Sequence, residues 1–277
     1  MNDAAHPAFR FLNDIAADLA RGQVTFPTFT HATMRVREVL SVPDVDADRV
    51  AQAVSTEPLL AARIVRVANS VAMNPAGKQV GDVKSAIVRI GFAAVRSAST
   101  TVALEQLRGR LTHPHHIAFA ERAWRHSVRV AAVAHVLAKR LSRVHPDEAL
   151  FAGLVHDIGH FYLLSQASKY PELERAPQEL EALLADWHPS IGQAVLHDFR
   201  LPDAVLEAVA EHENGHYRLP LRALSDIVTL ANLASAATNP VARYREVPPG
   251  KLVEPDVMAV LASDHAEIEG LAAALSA

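Results

Sequence analysis

Residues Ala149 to Leu163 read ALFAGLVHDIGHFYL, an apolar helical run with a His-Asp doublet at its centre. A run of this kind predicts a helix buried on most sides. Burying an imidazole beside a carboxylate is costly unless both are hydrogen-bonded or bound to a metal. His126 precedes this run and His188, His212 and Asp226 follow it, each among apolar neighbours. That collection of nitrogen and oxygen ligands raises the question of metal chemistry.

The rest of the chain suits such a core. Half of its 277 residues are hydrophobic and only 5% are aromatic, as closely packed helices with small side chains require. There is no Cys, which removes disulfides and thiolate metal sites. A bound metal must then use His, Asp and Glu, which points to Zn, Mn, Fe or Mg. Lys plus Arg number 27 against 31 for Asp plus Glu, so no broad basic field for nucleic acid is indicated. The N-terminal stretch MNDAAHPAFRFLNDIAADLA has acidic residues and no long apolar core, so it does not read as a signal peptide. No stretch approaches the roughly 20 apolar residues of a membrane span. The expected compartment is the cytoplasm.

Strand-like alternation is scarce and turn signals separate helical periods, which predicts an all-α fold. Pro27, Pro43, Pro58 and Pro75 punctuate short helices in the first part, including 46–54 and 58–70. The second of these places Leu59, Ala62, Val65 and Ala68 on its apolar face. Asp82 reads as an N-cap for 83–90, Gly91 breaks the segment, and another helix follows over 92–107. The polar break HPHH at 113–116 divides the chain. A long helix over 117–141 comes next, then the run opened by Pro146. A helix from about Gln178 approaches Trp187, and Pro189 is expected to open a new one. Pro202 starts a helix ending near Asn214-Gly215, Pro220 starts LRALSDIVTLANLASAA, and Pro255 starts a last short helix.

At helical spacing His126 shares a face with Phe119, Ala123, Val130, Val133 and Leu137, so it points into a core. A single such histidine is more often a satisfied core residue than a metal ligand. Asp226 shares a face with Ala223, Leu230 and Leu233, where an isolated carboxylate would be strongly destabilising. It needs a metal, an Arg or a helix N-terminus. His156 and Asp157 would point about 100° apart on a continuous helix. They reach one ion only near a helix end, which Gly159 favours. His188, before Pro189, is expected in extended backbone at a helix start. His212 lies near the end of its own helix.

The order His126, His156-Asp157, Asp226 resembles the HD superfamily of metal-dependent phosphohydrolases, in which four such positions bind one divalent metal. His188-Pro189 and His212 resemble the further histidines of its cyclic-di-GMP phosphodiesterase branch, which binds two or more ions. There a metal-bound hydroxide attacks and the metals steady the phosphate oxygens. The segments TEPLLAARIVRVANSVAM and VGDVKSAIVRIGFAAVRS, with landmarks Pro58, Leu59, Ala68-Asn69-Ser70, Ala86-Ile87 and Gly91, resemble the HDOD domain. This HD-related output domain occurs in bacterial signalling proteins. LFAGLVHDIG, HPSIGQAVLHDF and LPDAVLEAVAEHE continue the resemblance, which spans about 26–239. It implies two packed helical lobes, an N-terminal one over 10–112 and an HD-like bundle over 113–240, with an extension over 241–277. It implies a regulatory module without established catalysis that couples a metal or ligand site to a signalling protein partner. One or two divalent ions are expected on His126, His156, Asp157, Asp226, His188 and His212.

A metal-dependent phosphohydrolase acting on a nucleotide or cyclic dinucleotide is the alternative. Against it, the phosphodiesterase branch carries a Lys where this chain has His160, and its paired histidines are represented by Glu211-His212. Its Gly-Tyr-Pro signature is missing from 215–220. His160 then reads as a phosphate-binding group, an indirect support of the ligands, or an idle exposed residue. HENGH at 212–216 satisfies a zinc-protease pattern in letters only, because Asn214-Gly215 ends helices. His113, His115 and His116 read as solvated surface. The segment DVKSAIVRIGFAAVRSA, with Gly91 between two short helices, superficially suggests a DNA-binding helix-turn-helix, and Arg63, Arg66, Lys78, Lys84, Arg89 and Arg96 lie in this half of the chain. The HDOD resemblance assigns those helices to the scaffold, so direct DNA binding is not expected, while a nucleotide ligand stays open.

Overall fold

A computed structural model describes residues 7–21, 31–56, 58–70, 73–74, 76–108, 111–198, 201–241 and 252–276. Phe26, Pro27 and Pro75 lie outside the described residues. Among those described there is no strand, and the all-α expectation holds. The first helices are α1 (Pro7–Ala20), α2 (His31–Leu40), α3 (Ala47–Ser55), α4 (Pro58–Ala68) and α5 (Val83–Arg108). Then come α6 (Pro114–Leu141), α7 (Pro146–Val155), α8 (Ile158–Ala167), the short α9 (Pro171–Glu174) and α10 (Pro177–Asp198). The last are α11 (Asp203–Glu211), α12 (Leu224–Ala234), α13 (Pro255–Ser263) and α14 (His265–Ser276).

Local chemistry sets several of these boundaries. Asp46 accepts from the Arg49 N–H at 2.8 Å and Asp82 from the Ser85 N–H at 2.8 Å, so each carboxylate satisfies an orphan donor at a helix start. Gly91 bends α5 with φ of 76°, a backbone angle that side chains disfavour. Asn69 fastens the chain leaving α4. Its Nδ2 donates to Val80 O at 2.8 Å and its Oδ1 accepts from Val80 N at 2.9 Å. The buried face of α4 is Leu60, Ile64, Val67 and Ala68; of the expected row Ala68 is buried, Val65 half-buried and Ala62 exposed, while Leu59 lies outside the residues whose side chains are described. Burial follows the row of larger side chains at i, i+4 and i+7, which removes more apolar area from water.

Two separate cores define the two lobes. The smaller joins α2 to α5 through residues such as Val36, Val50, Leu60, Ile64, Ile87 and Val95. The larger is centred on α6, α7 and α8 and includes α10, α11 and α12. Helix α1 goes with the larger core, and Met73 packs against both. Phe11 and Ile15 belong to the larger core. Phe11 meets the edge of Tyr170 with ring centroids 5.2 Å apart, the Tyr170 hydroxyl donates to Asp14, and Arg10 pairs with Glu172 at 3.3 Å. The lobes meet where α5 packs on α7 and α8. Helix α14 runs along α6, where Lys139 reaches Glu267 at 2.7 Å and Arg140 reaches Asp264 at 3.0 Å. It also touches α4 through Arg63 Nη1, which donates to Leu275 O at 3.2 Å.

Two glycines let backbones touch beneath the polar cluster. A Cβ on Gly153 of α7 would stand 2.7 Å from Ala131 Cα of α6. One on Gly159 of α8 would stand 2.0 Å from His188 O of α10.

Candidate metal centre

The apolar run over 149–163 is two helices. Helix α7 ends at Val155 and α8 begins at Ile158, so His156 and Asp157 form the corner, with Asp157 at φ −97° and ψ 14°. The corner turns both side chains of the doublet toward one point; it falls at 156–157, ahead of Gly159, which lies inside α8 rather than loosening it. His126 reaches it from the middle of α6, His160 from the first turn of α8, His188 from α10 and His212 from the end of α11. All of these side chains are 0–1% exposed.

His188 arrives by an unexpected route. No helix starts at Pro189, because α10 runs through it from Pro177 to Asp198. Proline has no N–H for the carbonyl four residues back, which here is Ala185. The His188 ring supplies a substitute: Nδ1 lies 2.8 Å from Leu184 O and 3.2 Å from Ala185 O. The helix is thereby kept, and the ring is aimed.

The same arrangement recurs in two other rings. His156 Nδ1 lies 2.6 Å from Gly153 O and His212 Nδ1 lies 2.7 Å from Val209 O. A carbonyl only accepts, so Nδ1 carries the proton in all three rings. In the neutral rings each Nε2 then presents a lone pair to the centre. His156 Nε2 is 3.4 Å from Asp157 Oδ1, His188 Nε2 is 3.5 Å and His212 Nε2 is 3.4 Å. His188 Nε2 and His212 Nε2 lie 3.1 Å from each other. His160 Nε2 is 3.7 Å from the same oxygen, and its ring stacks on His188 at 3.8 Å. Both Asp157 oxygens, His156 Nε2 and both His160 nitrogens are buried without a hydrogen-bond partner.

Electron-rich atoms this close repel unless positive charge lies among them. Burial pushes His156 down to about 3. Burial, with His188 beside it, holds His160 well below the ordinary imidazole value, and burial also lowers His126 and His188. Burial works against the Asp157 carboxylate as well, but the surrounding imidazoles, His156 and His160 foremost, outweigh it and keep Asp157 well below the usual carboxylate range. Burial lowers His212 too, yet Asp157 and Glu213 beside it raise its pKa overall.

A divalent cation fits the same place. Ligands about 2.0–2.1 Å from a tetrahedral ion lie about 3.4 Å apart, close to the separations around Asp157 Oδ1. Two groups of donors could hold an ion, His126–His156–Asp157 and Asp157–His188–His212, and they share Asp157.

Asp226 is not among these residues. Its Oδ1 accepts from Arg218 N at 2.9 Å and its Oδ2 from Ala223 N at 3.2 Å, in the first turn of α12. Two main-chain donors and the positive end of the helix satisfy the carboxylate, so it has no need of the centre. The residue of α12 that does reach the centre is Asn232, whose Oδ1 lies 2.9 Å from His126 Nε2. Asn232, Glu213 and Thr238 were not foreseen as neighbours of the centre. The one signal for Asn232 was a lone amide among apolar residues in TLANLA.

Other expectations also change. His116 is buried rather than solvated, and its ring lies 5.0 Å from that of His113. Helix α11 ends at Glu211 and Gly215 has φ of 70°, so 212–216 forms no protease helix. In the basic half, Arg63 is buried, Lys84 pairs with Asp48 at 2.7 Å and Arg89 donates to Ala68 O at 3.3 Å. Those cations are engaged within the fold.

Fold and site together define a two-lobed, all-helical protein built around a buried cluster of histidines on one aspartate. A model of the HDOD domain matches residues 26–215. The chain belongs to the HDOD family. A candidate metal-dependent phosphohydrolase from Shewanella amazonensis is similar in structure, with a TM-score of 0.74 and 24% identity over 97% of this chain and 99% of that one. An HDOD domain protein of unknown function from Geobacter sulfurreducens gives 0.62 and 21% identity over 95% of this chain and 96% of that one. A candidate signal transduction protein from Marinobacter aquaeolei gives 0.62 and 19% identity over 98% of this chain and 67% of that one. These likenesses are of fold. No curated protein matches the chain. Among the described residues no helix is long and apolar enough to cross a membrane.

Proposed function

We propose that the chain is a regulatory module of bacterial signal transduction, acting in the cytoplasm, in which a divalent ion on the His-Asp cluster ties helices of the larger lobe together and couples them to a protein partner. The observation that carries this reading is burial. His126, His156, Asp157, His160 and His212 are fully buried and His188 is 1% exposed. A structural ion is closed off by protein ligands, whereas a catalytic one keeps a position open to substrate.

The second reading is a metal-dependent phosphohydrolase acting on a nucleotide or cyclic dinucleotide. His160 favours it: both ring nitrogens are buried without a partner, as suits a group that awaits a phosphate oxygen. The Shewanella protein, described as a candidate metal-dependent phosphohydrolase, also supports it. In that reading the ion would polarise a phosphoryl oxygen and acidify a bound water.

Metal analysis of the purified protein, with melting recorded before and after chelation, tests the first reading. An ion at about 1,000 times its Kd stabilises by about 4 kcal/mol, so chelation lowers the melting temperature. A metal-free protein whose melting ignores chelators and added Zn2+ overturns both readings. Hydrolysis of phosphodiesters by the wild type, absent from Asp157→Ala, favours the enzyme. Equal activity in the two assigns the signal to contamination.

A further inference from the structure

We infer that the ion sits on Asp157, His188 and His212, and that Asn232 keeps His126 out of the coordination shell. The inference rests on the reading that the protein binds a divalent ion, and it decides between the two donor groups that share Asp157.

The Asp157–His188–His212 triangle is primed. Its edges are 3.5, 3.4 and 3.1 Å. The Nδ1 protons of both histidines are committed to Leu184 O and Val209 O, so in the neutral rings both Nε2 lone pairs face inward. Neither oxygen of Asp157 is engaged in a hydrogen bond. All three groups present lone pairs, and their tautomers are locked by main-chain carbonyls in the way ligand histidines are oriented. His156 Nε2, 3.4 Å from the same oxygen and without a hydrogen-bond partner, is placed nearest to a fourth position.

The His126 group is closed, and the chemistry of Asn232 closes it. The Asn232 Nδ2 donates to His212 O at 3.1 Å and to Glu213 Oε1 at 3.1 Å. Both of those atoms only accept, so the amide cannot be turned round. Its oxygen therefore faces His126 Nε2 at 2.9 Å, a hydrogen bond only when that nitrogen carries the proton. The other nitrogen, Nδ1, is 2.9 Å from Thr238 Oγ1, so in this tautomer the threonine hydroxyl turns its one proton to the ring and away from Ser235 O at 2.7 Å. His126 is held at both ends and directs no lone pair at Asp157. In the opposite tautomer its Nε2 lone pair would face the Asn232 oxygen, which is repulsive.

The test is Zn2+ titration of the full chain, after chelator dialysis, by calorimetry with metal analysis of the product and circular dichroism to confirm folding. The wild type is expected to bind one ion per chain. His188→Ala and His212→Ala weaken binding by more than about 100-fold, beyond the usual loss for an outer-shell partner, and His126→Ala by less than about 10-fold. Asn232→Asp adds a carboxylate beside His126 and raises the stoichiometry from one to two, a gain that misfolding cannot imitate. Two ions in the wild type, a His126→Ala variant that loses the ion, or an Asn232→Asp variant that stays at one ion would overturn the assignment while leaving metal binding intact. No binding by the folded wild type overturns the assignment together with the reading beneath it.

Discussion

The contact between α8 and α10 can be tested by adding one methyl group. In Gly159→Ala the new Cβ would lie 2.0 Å from His188 O, 2.8 Å from His188 C and 2.9 Å from Gly192 N. Every one of these atoms is backbone, so no rotamer relieves the clash. Restoring ordinary contact moves the helices apart by about 1.2 Å, and overpacking of this kind costs about 1–3 kcal/mol. Better helix propensity returns about 1 kcal/mol at most. A net loss of up to about 2 kcal/mol lowers the melting temperature of a chain this size by up to about 8 °C. Because His188 is carried by the same segment of α10, its 3.5 Å separation from Asp157 Oδ1 widens too, and Zn2+ affinity falls along with stability. Thermal unfolding followed by circular dichroism reads the first effect and calorimetry the second. Gly270→Ala on α14 is the control, since nothing lies within 4 Å of its Cβ position, and it is expected to be neutral or stabilising. A Gly159→Ala protein that melts at or above the wild type, with unchanged Zn2+ affinity, refutes the packing argument.

Asp226→Ala removes the acceptor for Arg218 N and Ala223 N and should destabilise by about 0.5–2 kcal/mol in denaturant titration, as lost helix caps do. Zn2+ affinity should stay unchanged, and a fall of more than about tenfold would return Asp226 to the centre. Asn69→Ala leaves Val80 N and Val80 O without their partners, at about 1–3 kcal/mol, with unfolding of the smaller lobe as the readout. Burial lowers the pKa of His116 and His135 from 6.5, so below that pH the unfolded chain binds protons that the native one refuses. Stability is therefore greatest above about 6.5 and falls on acidification. His116→Gln and His135→Gln should each flatten the slope of denaturation midpoint against pH, and an unchanged slope in both would reject the assignment.

The fold was legible where local chemistry acts alone. Asp46 and Asp82 cap helices because a carboxylate answers orphan N–H groups within three residues, an interaction written in a few consecutive letters. Gly91 likewise marks its own bend. Pro189 misled because its effect depends on a neighbour. A proline ends a helix when the carbonyl it abandons finds no other donor, and here the His188 ring donates instead. The placement of α1 depended on Tyr170 and Glu172, more than a hundred residues away, and no local pattern carries that partner.

The site was legible in its membership more than in its wiring. Buried histidines near a buried aspartate in an apolar setting imply one another, because each needs a polar partner. The structure accordingly collects His126, His156, Asp157, His188 and His212. The choice between Asp226 and Asn232 could not be made the same way. Periodicity selects a residue only when a helix has an exposed face to contrast with a buried one. From Ile227 to Leu233 every side chain of α12 is buried, so the pattern there has no phase, and a carboxylate looks more ligand-like than an amide. Position along the helix decided the matter. Asp226, in the first turn, has free N–H groups within reach, while Asn232, two turns on, has none of its own helix to satisfy and turns to His126, His212 and Glu213. An amide at that point both donates and accepts, so it can hold His126 in a hydrogen bond where a carboxylate would offer it to an ion.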